Sequence, residues 1–274
     1  MPPERILYES HMHTPLCKHA KGDPEDYAEV AERRGLKGII VTCHNPTENN
    51  EWSPGVRMSV EEYDEYVALV ARARQAWAGR IDIRIGLESD YAPGMEPWLE
   101  VLHEKAELHH VLGSVHPHLN DYKQLYLNDD PVDFQRTYFE HLAMAAETGL
   151  FDTISHPDLV KNVFPDEWDI ERLMDHLKRC LDRIAEAGAA MEINTSGINK
   201  SVPEMNPGVV MLEQMKERNI PVVLGADAHQ PQRVAANFEE ALDGLEEVGY
   251  SHVSLFLDRT RQDIEIGRAR DSLI

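Results

Sequence analysis

The residues of this chain that could do chemistry are imidazoles and carboxylates recurring at the ends of apolar runs. Near the N-terminus, Tyr8-Glu9-Ser10-His11-Met12-His13 leads through a short turn with Pro15 to a third histidine, His19. In an extended segment residues i and i+2 point to the same side, so His11 and His13 can offer two ring nitrogens to one point in space. Neutral imidazole is the commonest protein ligand for zinc-like metals. Alone, a His-x-His pair reads equally as two solvated surface residues. Its company changes that: His44, Glu88, His116, His156, Asp227 and His229 each stand at or just past the exit of a run that reads as a strand.

The elements that must position these side chains alternate along the chain. Strands are expected at Arg5–Ser10, Gly38–Cys43, Asp82–Leu87, Val111–Val115, Phe151–Ser155, Ala189–Ile193 and Pro221–Gly225, with an eighth at Ser251–Leu257 before an Arg-rich tail. Helices are expected between them. Asp23-Pro24 reads as an N-cap followed by proline at the first helical position, with Gly35 as the stop. Ser59-Val60-Glu61-Glu62 reads as a capping box for a helix reaching Trp77. Further helical patterns cover 96–106, 131–148, 169–187, 207–218 and 234–248. With no linker in sight, this rhythm predicts one α/β domain over residues 1–274, a (β/α) barrel of seven or eight strands. Barrel enzymes assemble their sites from strand ends at the C-terminal rim, where these side chains fall.

Counting donors separates a structural from a catalytic site. One structural zinc needs four protein ligands, whereas the strand ends plus His19 offer seven histidines and two carboxylates. That set suits two or three ions, with Glu88 a natural bridge because a carboxylate has two oxygens to share. Nitrogen and oxygen donors suit Zn, Fe or Mn, divalent or trivalent. His103, His109, His110, His141, His176 and His252 lie away from strand exits and read as surface or capping residues, while His118 could join the site or point into its loop. Cys17 and Cys43 lie close to candidate ligands, as soft ligands or as small buried hydrophobes.

Composition excludes other classes. The formal charge of -22 repels phosphate backbones and anionic lipid, so no nucleic-acid or membrane partner is expected through a basic patch. The chain shows no apolar stretch of membrane-spanning length and no signal-peptide pattern, so a cytoplasmic location is expected. Three cysteines do not make a disulfide framework.

His11-Met-His-Thr-Pro-Leu-Cys-Lys-His-Ala20, Gly86-Leu-Glu-Ser-Asp-Tyr-Ala-Pro-Gly94, Gly113-Ser-Val-His116, His156-Pro-Asp-Leu-Val-Lys161, Asn194-Thr-Ser-Gly197 and Asp227-Ala-His229 together resemble the polymerase and histidinol phosphatase (PHP) superfamily, and within it the histidinol-phosphatases. The resemblance implies a distorted (β/α)7 TIM-like barrel with a trinuclear metal site. Carried over, His11, His13, Glu88 and Asp227 would hold one ion, Glu88, His116 and His156 a second, and His19, His44 and His229 a third. Asp227, His229 and Glu88 would stand at the reacting centre. The implied reaction is hydrolysis of L-histidinol phosphate, late in histidine biosynthesis. Two departures stand out: Pro117-His118 follows His116, and Ile198-Asn199-Lys200 follows Gly197 where relatives often carry arginine. Lys161 and Lys200 are therefore the candidates for holding phosphate. Asn194 and Asp90 are further candidate substrate contacts, and Asp90, Tyr91, Glu192 and Asp158 are candidates for the amine.

Hydrolysis of a phosphomonoester needs a nucleophile at neutral pH and neutralisation of the phosphoryl oxygens. Metal ions supply both by acidifying bound water and clamping the displacement, so no Ser or Cys nucleophile is required. Three alternatives remain at this level: another small phosphomonoester as substrate, a metal-dependent amidohydrolase, and a non-enzymatic metal-binding module. An amidohydrolase would usually place a lysine at a middle strand end, and the sequence shows none there.

Overall fold

Apolar runs such as Gly38-Ile-Ile-Val41 lack polar alternation because helices cover the outer face of the sheet they join. The computed structural model describes residues 4–274, and 1–3 lie outside the described residues. In chain order the elements are β1 (Tyr8–Glu9), α1 (Pro24–Arg33), β2 (Gly38–Val41), α2 (Tyr63–Ala76), β3 (Asp82–Asp90), α3 (Glu96–His103), β4 (His110–Ser114), α4 (Asn120–Tyr126), α5 (Pro131–Glu147) and β5 (Thr153–Ile154). There follow α6 (Met174–Ala187), β6 (Ala190–Asn194), α7 (Val209–Glu217), β7 (Val222–Gly225), α8 (Phe238–Val248), β8 (His252–Leu257), β9 (Thr260–Glu265) and α9 (Ile266–Ser272). Strands neighbour one another in sequence order, β1 to β9, and every pairing is parallel except β8 with β9.

The expected βα alternation forms, and the rim joins its first and seventh strands. Beyond β1, His13 N–H donates to the Ala228 carbonyl at 3.0 Å, and Ala228 N–H donates to the His11 carbonyl at 3.0 Å. This Met12–Ala228 bridge brings the β1 exit against the β7 exit. The Glu9 carboxylate, fully buried, reinforces the seam by accepting from Ala226 N–H at 3.0 Å and Ala235 N–H at 2.8 Å. Asp23 and Asp26 form the reciprocal cap that opens α1.

Three details depart from expectation. The Arg-rich tail forms β9 and α9: Asp258 and Arg259, with φ of 52° and 57°, make a two-residue turn that returns the chain along β8. α2 opens at Tyr63, one turn after Ser59, although Ser59 N–H does donate to Glu62 Oε2 at 2.7 Å. The 169–187 segment begins as a 3-10 turn, Ile170–Leu173, before α6.

Candidate active site

Glu88 is the hub, 1% exposed near the end of β3. Its Oε2 lies 2.9 Å from His44 Nδ1, 3.4 Å from His11 Nε2 and 3.5 Å from His13 Nε2. Its Oε1 lies 3.0 Å from His156 Nε2 and 3.3 Å from His116 Nε2. Asp227 Oδ1 completes the side toward β1, 3.1 Å from His13 Nε2 and 3.7 Å from His11 Nε2. His19 and His229 meet Nε2 to Nε2 at 2.8 Å, and the His229 ring stacks on His13 with centroids 3.9 Å apart. The eight side chains singled out by their strand-end positions, and His19 with them, thus converge.

The backbone reaches unusual conformations to do this. Asp227 and His156 adopt φ of 48° and 28°, a region that non-glycine residues avoid unless the surroundings over-determine it. Glu192 supplies part of that determination. One oxygen sits 2.7 Å from His11 Nδ1, and the other accepts from His156 N–H at 2.8 Å and from Asn194 Nδ2 at 3.0 Å. Gly225 must be glycine beside it, because a Cβ there would lie 1.9 Å from Glu192 Oε1 and 2.9 Å from His11 Cβ.

For four of the seven histidines an outer partner sets which ring nitrogen faces inward, whereas His44 turns Nδ1 toward Glu88. His11 Nδ1 meets Glu192, His116 Nδ1 lies 2.9 Å from Asp90 Oδ1, His19 Nδ1 2.7 Å from the Cys17 carbonyl and His229 Nδ1 3.1 Å from the Asp227 carbonyl. Each arrangement points Nε2 into the cluster, the second-layer pattern of metal-ligating histidines. Asp90 in turn pairs with Arg57 through Oδ2, and its backbone N–H donates to Asn45 Oδ1 at 2.9 Å.

The donor set fits cations. Glu88 Oε2, His11 Nε2 and His44 Nδ1 are buried and without hydrogen-bond partners although they face one another at close range. Burial works against the charged form of Glu88, yet the imidazoles of His44, His11 and His116 hold its carboxyl well below the usual range. Asp227 is likewise held low against burial by His11, His13 and His229. Burial pushes His44 down to about 4 and His229 down to about 3, favouring the neutral rings a metal needs, whereas against burial the carboxylates Asp227 and Asp90 raise His13 to about 9 and His116 to about 10. The described residues hold several overlapping ligand triads, among them His11, His13 and Asp227, and His44, Glu88 and His116.

The cluster opens into a cavity of about 380 Å³ whose floor includes His44, His116, His156, Asp227 and His229. Arg57, His118, Ser196, Asn199 and Lys200 form its sides. Of the candidate substrate contacts, only Lys200 lines it. Lys161 is fully buried elsewhere, its ammonium donating to Asp158 Oδ2, Glu204 Oε1 and the Met205 carbonyl at 2.9, 3.0 and 2.9 Å, so every donor is occupied. Asn194 is spent on Glu192 and Ser196, and Asp90 on His116 and Arg57. Tyr91 Oη donates to Glu96, Asp158 holds Asn206 and Gly208, and Glu192 holds the His11 and His156 segments. These side chains build the walls and do not face the cavity. His118 joins the lining, its ring edge-on to His116 at 5.6 Å.

Sequence reasoning missed Arg57 and Ser196. Arg57 comes from an irregular loop with no periodic signal and is placed by tertiary contacts alone. Ser196 Oγ donates to Asp227 Oδ2 at 3.1 Å and to Asn194 Oδ1 at 2.7 Å. The Asn194-Thr-Ser-Gly197 motif was the available signal for it.

Residues 9–196 match the PHP domain family. A probable histidinol-phosphatase of Deinococcus radiodurans is 37% identical over 253 residues, covering 89% of this chain and 94% of the relative. The histidinol-phosphatase of Bacillus subtilis is 27% identical, covering 86% of this chain and 98% of its own length. Among solved structures, a histidinol phosphate phosphatase from Lactococcus lactis, complexed with Zn, L-histidinol and phosphate, superposes with a TM-score of 0.78 at 20% identity, covering 93% of this chain and 98% of that one.

Proposed function

The chain belongs to the PHP domain family, and from that premise we propose that it is a metal-dependent phosphatase hydrolysing L-histidinol phosphate to L-histidinol and phosphate in histidine biosynthesis. The observation that carries the reading is Glu88, one buried carboxylate faced by five imidazoles at the C-terminal rim of the parallel strands. A 37%-identical relative bearing the histidinol-phosphatase name supports the substrate.

His11, His13, Glu88 and Asp227 would hold one ion, Glu88, His116 and His156 a second, and His19, His44 and His229 a third. The metal in the Lactococcus lactis protein makes Zn the leading identity, with Fe and Mn as the rivals. Bound there, such ions supply Lewis acidity toward the phosphoryl oxygens and a water acidic enough to attack near neutral pH.

This chain's own residues do the rest. Lys200, on the cavity side 3.8 Å from Asp227 Oδ2, offers a cation to the phosphate. Arg57 stands in the same wall, its charge already balanced by Asp90. Ser196, bonded to Asp227, fixes that carboxylate's rotation. Ser114 and Ser155 hydroxyls pair with each other, and Ser114 donates to Glu88 Oε1, so they serve the cluster as supports. Among the described residues the ionic partners of Glu88 are histidines, with no lysine of the kind an amidohydrolase would need.

The protein acts as a single domain over 1–274 on a small phosphorylated substrate, in the cytoplasm. Among the described residues no helix is long and apolar enough to cross a membrane. A charge of -22 disfavours nucleic acid as substrate. Steady-state rates on histidinol phosphate and a panel of nucleotide and sugar phosphates test the assignment. A kcat/KM for histidinol phosphate about a hundredfold above the rest is expected of a pocket that pairs polar groups with its substrate. A higher value for any rival ester would refute it.

A further inference from the structure

Behind the histidine–carboxylate cluster lies a second donor set of different chemistry. His13 turns Nε2 toward Asp227 and Glu88, which leaves Nδ1 on the opposite edge of its ring. That residue is 1% exposed, and Nδ1 is buried without a hydrogen-bond partner. Two free thiols stand nearby, Cys17 at the end of the 3-10 turn Pro15–Cys17 and Cys43 just past β2. Both are fully buried, and the two sulfurs and a ring nitrogen of His13 all lie within 4.8 Å of one another. The Cys43 sulfur is fixed by Thr14, whose hydroxyl lies at 3.2 Å and backbone N–H at 3.4 Å.

Metal–sulfur bonds of about 2.3 Å and metal–nitrogen bonds of about 2.0 Å place neighbouring donors of a tetrahedral centre roughly 3.5–3.8 Å apart. The two sulfurs and the ring nitrogen need only small side-chain shifts to reach that spacing. This donor triad contains no carboxylate, unlike the triads around Glu88. Thiolates select Zn2+, Cd2+ or Cu+ over the harder Mn2+ and Mg2+.

We propose that Cys17, Cys43 and Nδ1 of His13 form a buried three-donor site for one thiophilic cation of the Zn2+ or Cd2+ class. On binding a dication the two S–H groups release their protons to water, the two thiolates neutralise the charge, and the Nδ1 lone pair supplies the third donor. A neutral imidazole that gives Nδ1 to this cation keeps its proton on Nε2, so the ring donates Nε2–H to Asp227 and offers the cluster no lone pair. Excess thiophilic cation therefore captures His13 from the cluster and lowers the activity that the cluster supports.

The test is a titration of the full-length, metal-loaded protein with Cd2+ alone, followed by thiolate-to-cadmium charge-transfer absorbance and by 113Cd NMR. One equivalent of Cd2+ should give the charge-transfer band and a 113Cd resonance in the range for two sulfur donors. Cys180, which sits apart beside His176 and Glu140, is the control. The band should persist in Cys180→Ser and fall at least tenfold in Cys43→Ser. A band that survives Cys43→Ser, or a 113Cd shift with nitrogen and oxygen donors only, overturns the proposal. The NMR arm uses the unmodified protein, so it decides the matter even where the variant does not fold. Neither signal depends on phosphatase turnover, so an unexpected substrate preference would leave this result standing.

Discussion

Asp90→Asn is the most informative single change. In the folded chain one Asp90 oxygen faces His116 Nδ1 at 2.9 Å and the other pairs with Arg57, with Asp90 and Arg57 both 2% exposed. Asparagine keeps the shape but offers one acceptor oxygen and one NH2, so either His116 or Arg57 meets a donor with its own donor. Removing one partner of a buried ion pair costs about 3–5 kcal/mol, and loss of an outer partner of a ligating histidine costs roughly 10–100-fold in metal affinity. For a chain of 274 residues, at about 2–4 °C per kcal/mol, the melting temperature should fall by roughly 6–20 °C. Adding Arg57→Met to Asp90→Asn removes the stranded guanidinium, so it should recover much of the stability and none of the metal affinity. The pH dependence carries a definite sign. Burial opposes the Asp90 charge, yet Arg57 and His116 hold its carboxyl well below the usual range. A depressed folded pKa gives stability that is fully present above the unfolded value, near 3.9, and is lost as pH falls below it. Asp90→Asn should lack that acid-limb slope. The assays are thermal unfolding of the metal-depleted protein between about pH 3 and 7 and competition with a chromophoric chelator. An unchanged melting temperature together with wild-type metal retention would show that the Arg57–Asp90–His116 chain does not position His116.

Three further outcomes are expected. Lys200→Ala should raise KM for the phosphoester about 10–100-fold, the worth of one charge-assisted hydrogen bond, whereas Lys161→Met should lower the melting temperature and leave KM within about twofold; the reverse pattern in steady-state kinetics would return the phosphate role to Lys161. Exhaustive chelation should abolish turnover and Zn, Mn or Fe should restore it, while Asp227→Ala stays inactive with a native circular-dichroism spectrum; wild-type turnover by that variant would remove Asp227 from the reacting centre. Gly225→Ala should weaken metal binding, because its methyl group must displace Glu192 or His11; elemental analysis after dialysis would read this, and full retention would mean that the Glu192 contact is dispensable.

The convergence of these side chains was legible because eight of the nine stand at or just past the exit of an apolar run, and parallel strands deliver their exits to one rim. The role of Asp90 was half legible. It lies two residues after Glu88 within β3 and so shares its face, but only the three-dimensional position of Arg57 shows that its second oxygen is taken. Lys161 misled because a lysine just beyond a strand exit looks available, and its burial against Asp158, Glu204 and Met205 depends on a loop forty residues later. The closing hairpin was hidden by its turn. Asp258-Arg259 lacks the glycine or asparagine that usually announces left-handed turn residues.

The seam between Met12 and Ala228 has a consequence for the order of events during synthesis. His11, His13 and His19 leave the ribosome more than two hundred residues before Asp227 and His229, which complete their surroundings. A nascent chain halted before β7 would carry seven of the nine side chains but lack the wall that Asp227 and His229 complete. Full-affinity metal capture would therefore report that translation has passed residue 229 and that the two distant ends have met.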